Sequence, residues 1–243
     1  MGMKVQATVF LSLIFCAAFT LHQDNLTPVS RLNVKTDTIF LKRRKSPDDN
    51  IIYIEKNRSS KFYKNLLNFN LDDQDREAYI ENLHELNKVT KHYPKFSLPS
   101  FYRQWVSIYK YKHSYYSYTP ADFGVANRRM VTDSTMCYSN MDGFFPEVIV
   151  SVVRVNSRTW NFTVRAENQI PRHVIIHIIK PKTKLAVWED LPDWGSKDIR
   201  YGLYVPKEYA GNYDMIVNET SGDLPDELQF DKIDFKRLLK RKR

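Results

Sequence analysis

The chain has 243 residues, 42% of them hydrophobic and 27% charged, with a formal net charge of +9. That length allows one large domain or two small ones with an apolar core of useful size. Seven glycines leave no Gly-rich phosphate loop, and the only cysteines are Cys16 and Cys137.

The first twenty residues read as a secretory signal peptide. Lys4 supplies the positive start, Val5 to Phe19 is almost wholly apolar or small, and small residues around Ala17 and Ala18 offer a cleavage site. The run is too short for a comfortable membrane span, no second long apolar run follows, and the mature chain is expected to be soluble without a transmembrane segment. Cys137 is then the one cysteine left, so no internal disulfide can form. Its thiol is either buried or bridges two chains.

The charge is unevenly placed. Residues 31–45 and residues 231–243 each carry a net +5, whereas residues 46–230 sum to −1. Basicity confined to terminal segments points to a flexible electrostatic contact, not a basic groove built into the fold.

Residues 21–49 read as a flexible, basic N-terminal segment containing a sequon at Asn25 and the cluster Lys42, Arg43, Arg44 and Lys45. Three readings of that cluster stand side by side: a processing site, a contact for a sulfated or other polyanion, and a solvated charge run. Leu41 occupies the place where a furin-like protease wants arginine if the cut follows Arg44. Residues 50–118 are expected to form a helical, tyrosine-rich segment packing on the core. A second sequon lies at Asn57. A helix is expected after Asp72 and Asp73, with Tyr79, Leu83 and Leu86 on one face. Phe101, Trp105, Ile108 and Tyr109 recur at helical spacing and predict a short helix, with a strand as the rival. Tyr109 to Tyr118 interleaves tyrosines, including Tyr115 and Tyr116, with Lys110, Lys112 and His113. That mixture suits either a sugar-stacking surface or an edge strand whose hydroxyls sit in water.

Residues 119–220 carry about seven short apolar runs with turn signals every 8–14 residues. Asp142-Gly143 predicts a turn with positive φ at the glycine. In Thr159–Ala166 the alternation is clean: Trp160, Phe162 and Val164 fall on one face, Asn161 and Thr163 on the other. The spacing predicts an antiparallel β-sandwich. Tyr213, two residues before the inward Met215, sits where an immunoglobulin-like sandwich places its corner tyrosine. The fold class expected is therefore mainly β with an α-helical N-terminal part. Sequons at Asn161 and Asn218 fall on the expected wet faces of their strands. Residues 221–243 read as an acidic linker and a basic tail ending Lys240, Arg241, Lys242 and Arg243.

No catalytic signature emerges. His173 and His177 have a metal-like spacing, but on a strand they lie about 13 Å apart, too far to share one ion. Carboxylate pairs read as loop and cap residues. Neither a cofactor nor a nucleic-acid partner is expected. The sequence points to a secreted, N-glycosylated, non-enzymatic binding protein that recognises an extracellular protein or glycan, with basic tails for polyanion contact. Trp194, in a polar loop, and Tyr115 and Tyr116 are the candidate partner contacts. Two alternatives are a signalling ligand or pro-protein processed at Lys42–Lys45, and a secreted hydrolase whose site is assembled from distant residues.

Overall fold

The computed structural model describes residues 39–43, 51–98, 101–121, 128–140, 143–166, 170–191, 199–219 and 227–240. Its centre is a closed, eight-stranded antiparallel β-barrel. In chain order the barrel strands are β3 (Gln104–Tyr111), β5 (Arg128–Val131), β6 (Thr135–Asn140), β7 (Gly143–Asn156), β8 (Thr159–Arg165), β9 (Pro171–Lys180), β10 (Leu185–Leu191) and β11 (Arg200–Pro206). Each strand from β5 to β11 pairs with the next, and β3 pairs with both β11 and β5, which closes the ring. This corrects the expected immunoglobulin-like sandwich. No two sheets face one another across this core, because the strand that could have been a sheet edge joins both ends of the meander.

The closing strand is the segment expected to be a short helix. Around β3, Trp105 faces into the barrel while Val106 and Ile108 pack outside it, and all three are buried. Burial on both faces removes the alternation that would have marked a strand. The remaining strands form a side sheet that continues from β3 through β4 (Ser114–Thr119), β12 (Asp214–Glu219) and β2 (Ile51–Glu55) to β1 (Ile39–Arg43). Within it β12 runs parallel to β4 and antiparallel to β2. Tyr213 is no corner tyrosine: its hydroxyl donates to a side chain, Thr183 Oγ1, at 2.8 Å.

The expected α-helical N-terminal part is also corrected: residues 51–119 supply β2, β3 and β4 to the sheet, and among the described residues the helices are few and peripheral. α1 (Lys61–Leu66) starts at Ser60, whose hydroxyl accepts from the Tyr63 amide, and it buries Tyr63 and Leu66 over the outer wall of the barrel. α2 (Asp73–Val89) starts at Asp72, whose carboxylate accepts from the Asp75 amide, and it lies along β7. Gly143 adopts φ +114, and a Cβ there would sit 2.6 Å from Ala78 Cβ of α2. The glycine therefore serves the turn and the close helix–strand approach at once.

Two cores result. Inside the barrel, Trp105, Val131, Met136, Ile149, Phe162 and Trp188 are essentially fully buried. One end is plugged by Leu98 and by Phe101, whose ring lies 5.2 Å from Phe162 and 5.4 Å from Trp160. Outside it, Val106, Val187, Leu203 and Val205 pack beneath α1, Met215 and Val217. Each such side chain contributes roughly 1.5–3 kcal/mol on burial. Cys137, on β6, is 0% exposed. Of the two readings of this thiol, burial is the one the fold realises, because a side chain with no accessible surface cannot bridge to another chain.

As far as residue 240, the C-terminal segment differs from the flexible contact expected from its charge. Residues 227–240 run across the side sheet and the barrel wall and end in α3 (Phe235–Lys240). Glu227 accepts hydrogen bonds from the Tyr118 hydroxyl and from the Ala121 amide. Phe230 packs 4.5 Å from Tyr109, and Phe235 stacks on Tyr201 at 5.1 Å.

Candidate functional site at the barrel mouth

Opposite the Phe101 plug, the barrel interior changes from apolar to ionic. Register places Arg129 of β5, Glu147 of β7, Arg172 of β9 and Asp190 of β10 on the inward face, with Tyr138 of β6 and Tyr204 of β11. Glu147 engages Arg172 with both oxygens, the Oε1 contact to Nε being 2.8 Å. Arg172 Nη1 lies 3.3 Å from Asp190 Oδ1, and Arg129 Nη2 lies 3.0 Å from Asp190 Oδ2. Arg129 Nε donates to the Tyr204 hydroxyl at 3.3 Å, and its guanidinium lies over the rings of Trp188, Tyr204 and Tyr138. The result is a chain of alternating charge, Glu147–Arg172–Asp190–Arg129, that sums to zero.

Its electrostatics follow from burial and pairing. Burial opposes the charge on Arg129, but the Tyr204 hydroxyl, Asp190 and Glu147 outweigh it and hold the guanidinium above its ordinary value. Arg172 is likewise opposed by burial and raised by Glu147 and Asp190. Burial, then Glu147, pushes the Tyr138 hydroxyl up against the pull of Arg172, Arg129 and Arg200. Gly202 makes room here, since a Cβ on it would sit 2.6 Å from the Tyr204 ring. The indole Nε1 of Trp188, a residue only 1% exposed, has no hydrogen-bond partner among the described residues.

Chemically, the mouth holds charges in place. Both guanidiniums stay charged, and both carboxylates are paired with them. Among the described residues no group of three or more His, Cys, Asp and Glu could hold a metal ion. His173 and His177 sit on the outer face of β9. His173 Nδ1 lies 3.4 Å from Thr163 Oγ1, and His177 Nε2 lies 3.2 Å from Glu189, which also accepts from the Tyr201 hydroxyl at 3.1 Å.

None of the described residues expected to touch partners sits among these four charged side chains. Asn25, Arg44, Lys45, Trp194, Arg241, Lys242 and Arg243 lie outside the described residues. Lys42 and Arg43 belong to β1, at the edge of the side sheet. Tyr115 and Tyr116 point to opposite faces of β4, so they cannot form one stacking surface. Tyr115 packs toward the outer core beneath the Lys180 ammonium, 4.3 Å from its ring, whereas Tyr116 joins Tyr109 and Tyr118 under Leu228 and Phe230. The chain's own C-terminal segment thus covers much of the tyrosine-rich face.

The sequons also separate. Asn57 lies beside the α1 entrance, where its Oδ1 accepts from the Ser59 amide. Asn161 is on the outer wall of β8, half-buried. Asn218 is 3% exposed and its Nδ2 donates to the Tyr118 hydroxyl at 3.2 Å. It does not face out as the alternation of β12 suggested, because β2, β4 and residues 227–230 enclose that strand. In the folded chain this amide is enclosed and hydrogen-bonded.

Sequence reasoning missed the ionic chain altogether. Arg129, Glu147, Arg172 and Asp190 are scattered over four strands, and only a closed barrel brings them together. The one signal available was a charged residue at an inward position of an otherwise apolar strand, as with Glu147 between Phe145 and Ile149. Comparison with known proteins finds no matching family model, no similar curated protein and no similar solved structure.

Proposed function

We propose that this chain is a secreted, N-glycosylated, non-enzymatic binding protein for which the barrel is a rigid scaffold. The observation that carries this reading is the filled barrel. Its interior is occupied by the chain's own aromatic side chains, and its mouth is closed by a charge chain that neutralises itself. Recognition then falls to the outer surface and the strand connections, as is common on scaffolds that position loops. The signal-like residues 1–20 and the outward placement of Asn57 and Asn161 support the extracellular setting. A processed ligand is not favoured by any particular contact, since the cluster at Lys42–Lys45 is entered from β1, a strand paired to the side sheet.

The test is expression of the full chain in secreting cells, with intact and peptide mass spectrometry of the medium. The expected product starts near residues 19–24 and carries enzymatically removable glycan on Asn57 or Asn161, with none on Asn218. An unglycosylated chain kept inside the cell with residues 1–20 attached sinks the proposal.

A further inference from the structure

We infer that the groove between α3 and the β7–β8 turn is a binding site for a sulfated polysaccharide. The choice of ligand rests on the extracellular reading above; the site itself rests on geometry.

The helix is amphipathic and already docked. Phe235, Leu238 and Leu239 pack toward the outer core, while Lys236, Arg237 and Lys240 are exposed. Asp234 fixes the start of α3 by accepting from the Arg237 amide at 2.9 Å. Facing the helix, the β7–β8 turn presents the exposed Arg158. Between them lies a groove of about 530 Å³ with Arg158 and Lys240 at its sides, Asn156, Thr159, His177 and the Glu189 carboxylate on its polar side, and Val155, Ile178 and Leu239 on its apolar side.

Three features select a sulfated sugar. First, Arg158, Lys236, Arg237 and Lys240 form no ion pair among the described residues, so their charge is uncompensated. The acid groups nearby are already engaged: Asp234 at the helix start, and Glu189 with His177 and Tyr201. Second, amide and hydroxyl groups next to an apolar strip suit sugar hydroxyls beside C–H faces, while guanidinium and ammonium groups suit sulfates. Third, the apolar stripe of α3 is spent on the barrel wall. A membrane-bound basic helix needs that stripe for the lipid. Lys240, with Lys236 and Arg237 beside it on α3, is therefore held by a docked helix at the groove. Ordering the helix beforehand removes part of the entropic cost of binding.

The test uses the full chain and a heparin-derived hexasaccharide, with neutral dextran and phosphatidylserine-containing vesicles as the other probes. Binding that weakens steeply with salt is expected for the hexasaccharide and none for dextran. Arg158→Ser, on an exposed turn, should weaken binding roughly fivefold, as for an exposed charge contact. Leu238→Ser with Leu239→Ser keeps every charge but undocks the helix, and should weaken binding roughly tenfold through lost preorganisation. Full affinity in both variants overturns the groove in favour of an unstructured tail. Vesicle binding without hexasaccharide binding overturns the choice of ligand. A secreted glycoprotein that ignores the hexasaccharide sinks this inference alone. A chain that stays unglycosylated in the cell sinks the extracellular reading, whatever its affinity for the sugar.

Discussion

Glu147 offers the sharpest test of the barrel mouth. Its side chain is 5% exposed and both of its oxygens rest on Arg172. Arg172→Met removes the cation and leaves a carboxylate in a site too dry to solvate it. Breaking one partner of a buried pair typically costs about 3–5 kcal/mol, a large share of the roughly 5–15 kcal/mol that holds a domain together. For a chain of this size that corresponds to a fall in Tm of roughly 6–20 °C. Asp190 keeps Arg129 at 3.0 Å, so the damage stays local to Glu147. Pairing Arg172→Met with Glu147→Leu removes both charges and should recover most of the loss, because an apolar replacement of a buried pair is often near neutral. Urea unfolding of the four proteins of this cycle gives the coupling directly from midpoints and slopes. In Arg172→Met the site is costly only while the stranded carboxyl is charged. The deficit should then grow as pH climbs through the carboxylate range and shrink in acid. Single variants that each cost under about 1 kcal/mol and simply add would refute the buried ionic chain as described.

Three further outcomes are expected. Burial pushes the Cys137 thiol up to about 12; its stability contribution is whole below the ordinary thiol value and is lost as pH rises from there toward the folded one. A thiol reagent should therefore leave Cys137 untouched at neutral pH until urea unfolds the chain, and Cys137→Ala should flatten the alkaline decline in stability. Gly143→Ala should destabilise by about 1–3 kcal/mol in thermal unfolding, since it combines a φ of +114 with a Cβ 2.6 Å from Ala78, and an unchanged Tm would contradict that contact. Tyr118→Phe removes the hydroxyl that links Glu227, Asn218 and the Leu228 amide. Trypsin should then cut at Lys232 and Lys236 several-fold faster while the barrel persists, whereas unchanged cleavage would show that the C-terminal segment is held without it.

Much of this protein was legible one segment at a time. The clean alternation of Thr159–Arg165 marked β8, with Trp160, Phe162 and Val164 inward. Asp72 marked the start of α2, and Asp142-Gly143 marked a turn whose glycine needs positive φ. Those features depend on side-chain period and local backbone sterics, which a short stretch of chain carries within itself. Closure was not legible, because a sandwich and a barrel are built from the same alternating strands and differ only in whether the edges meet. The strand that joins them, β3, is buried on both faces and so reads like a helix or a strand with equal ease. Asn218 shows the same limit from the other side: the period gave it a face, but only β2, β4 and residues 227–230 made that face an interior. The ionic chain belongs wholly to tertiary structure, since Arg129 and Asp190 are 61 residues apart and meet at 3.0 Å. Period and turn chemistry act over a few residues, whereas burial and charge pairing are settled by neighbours that the chain supplies from a distance.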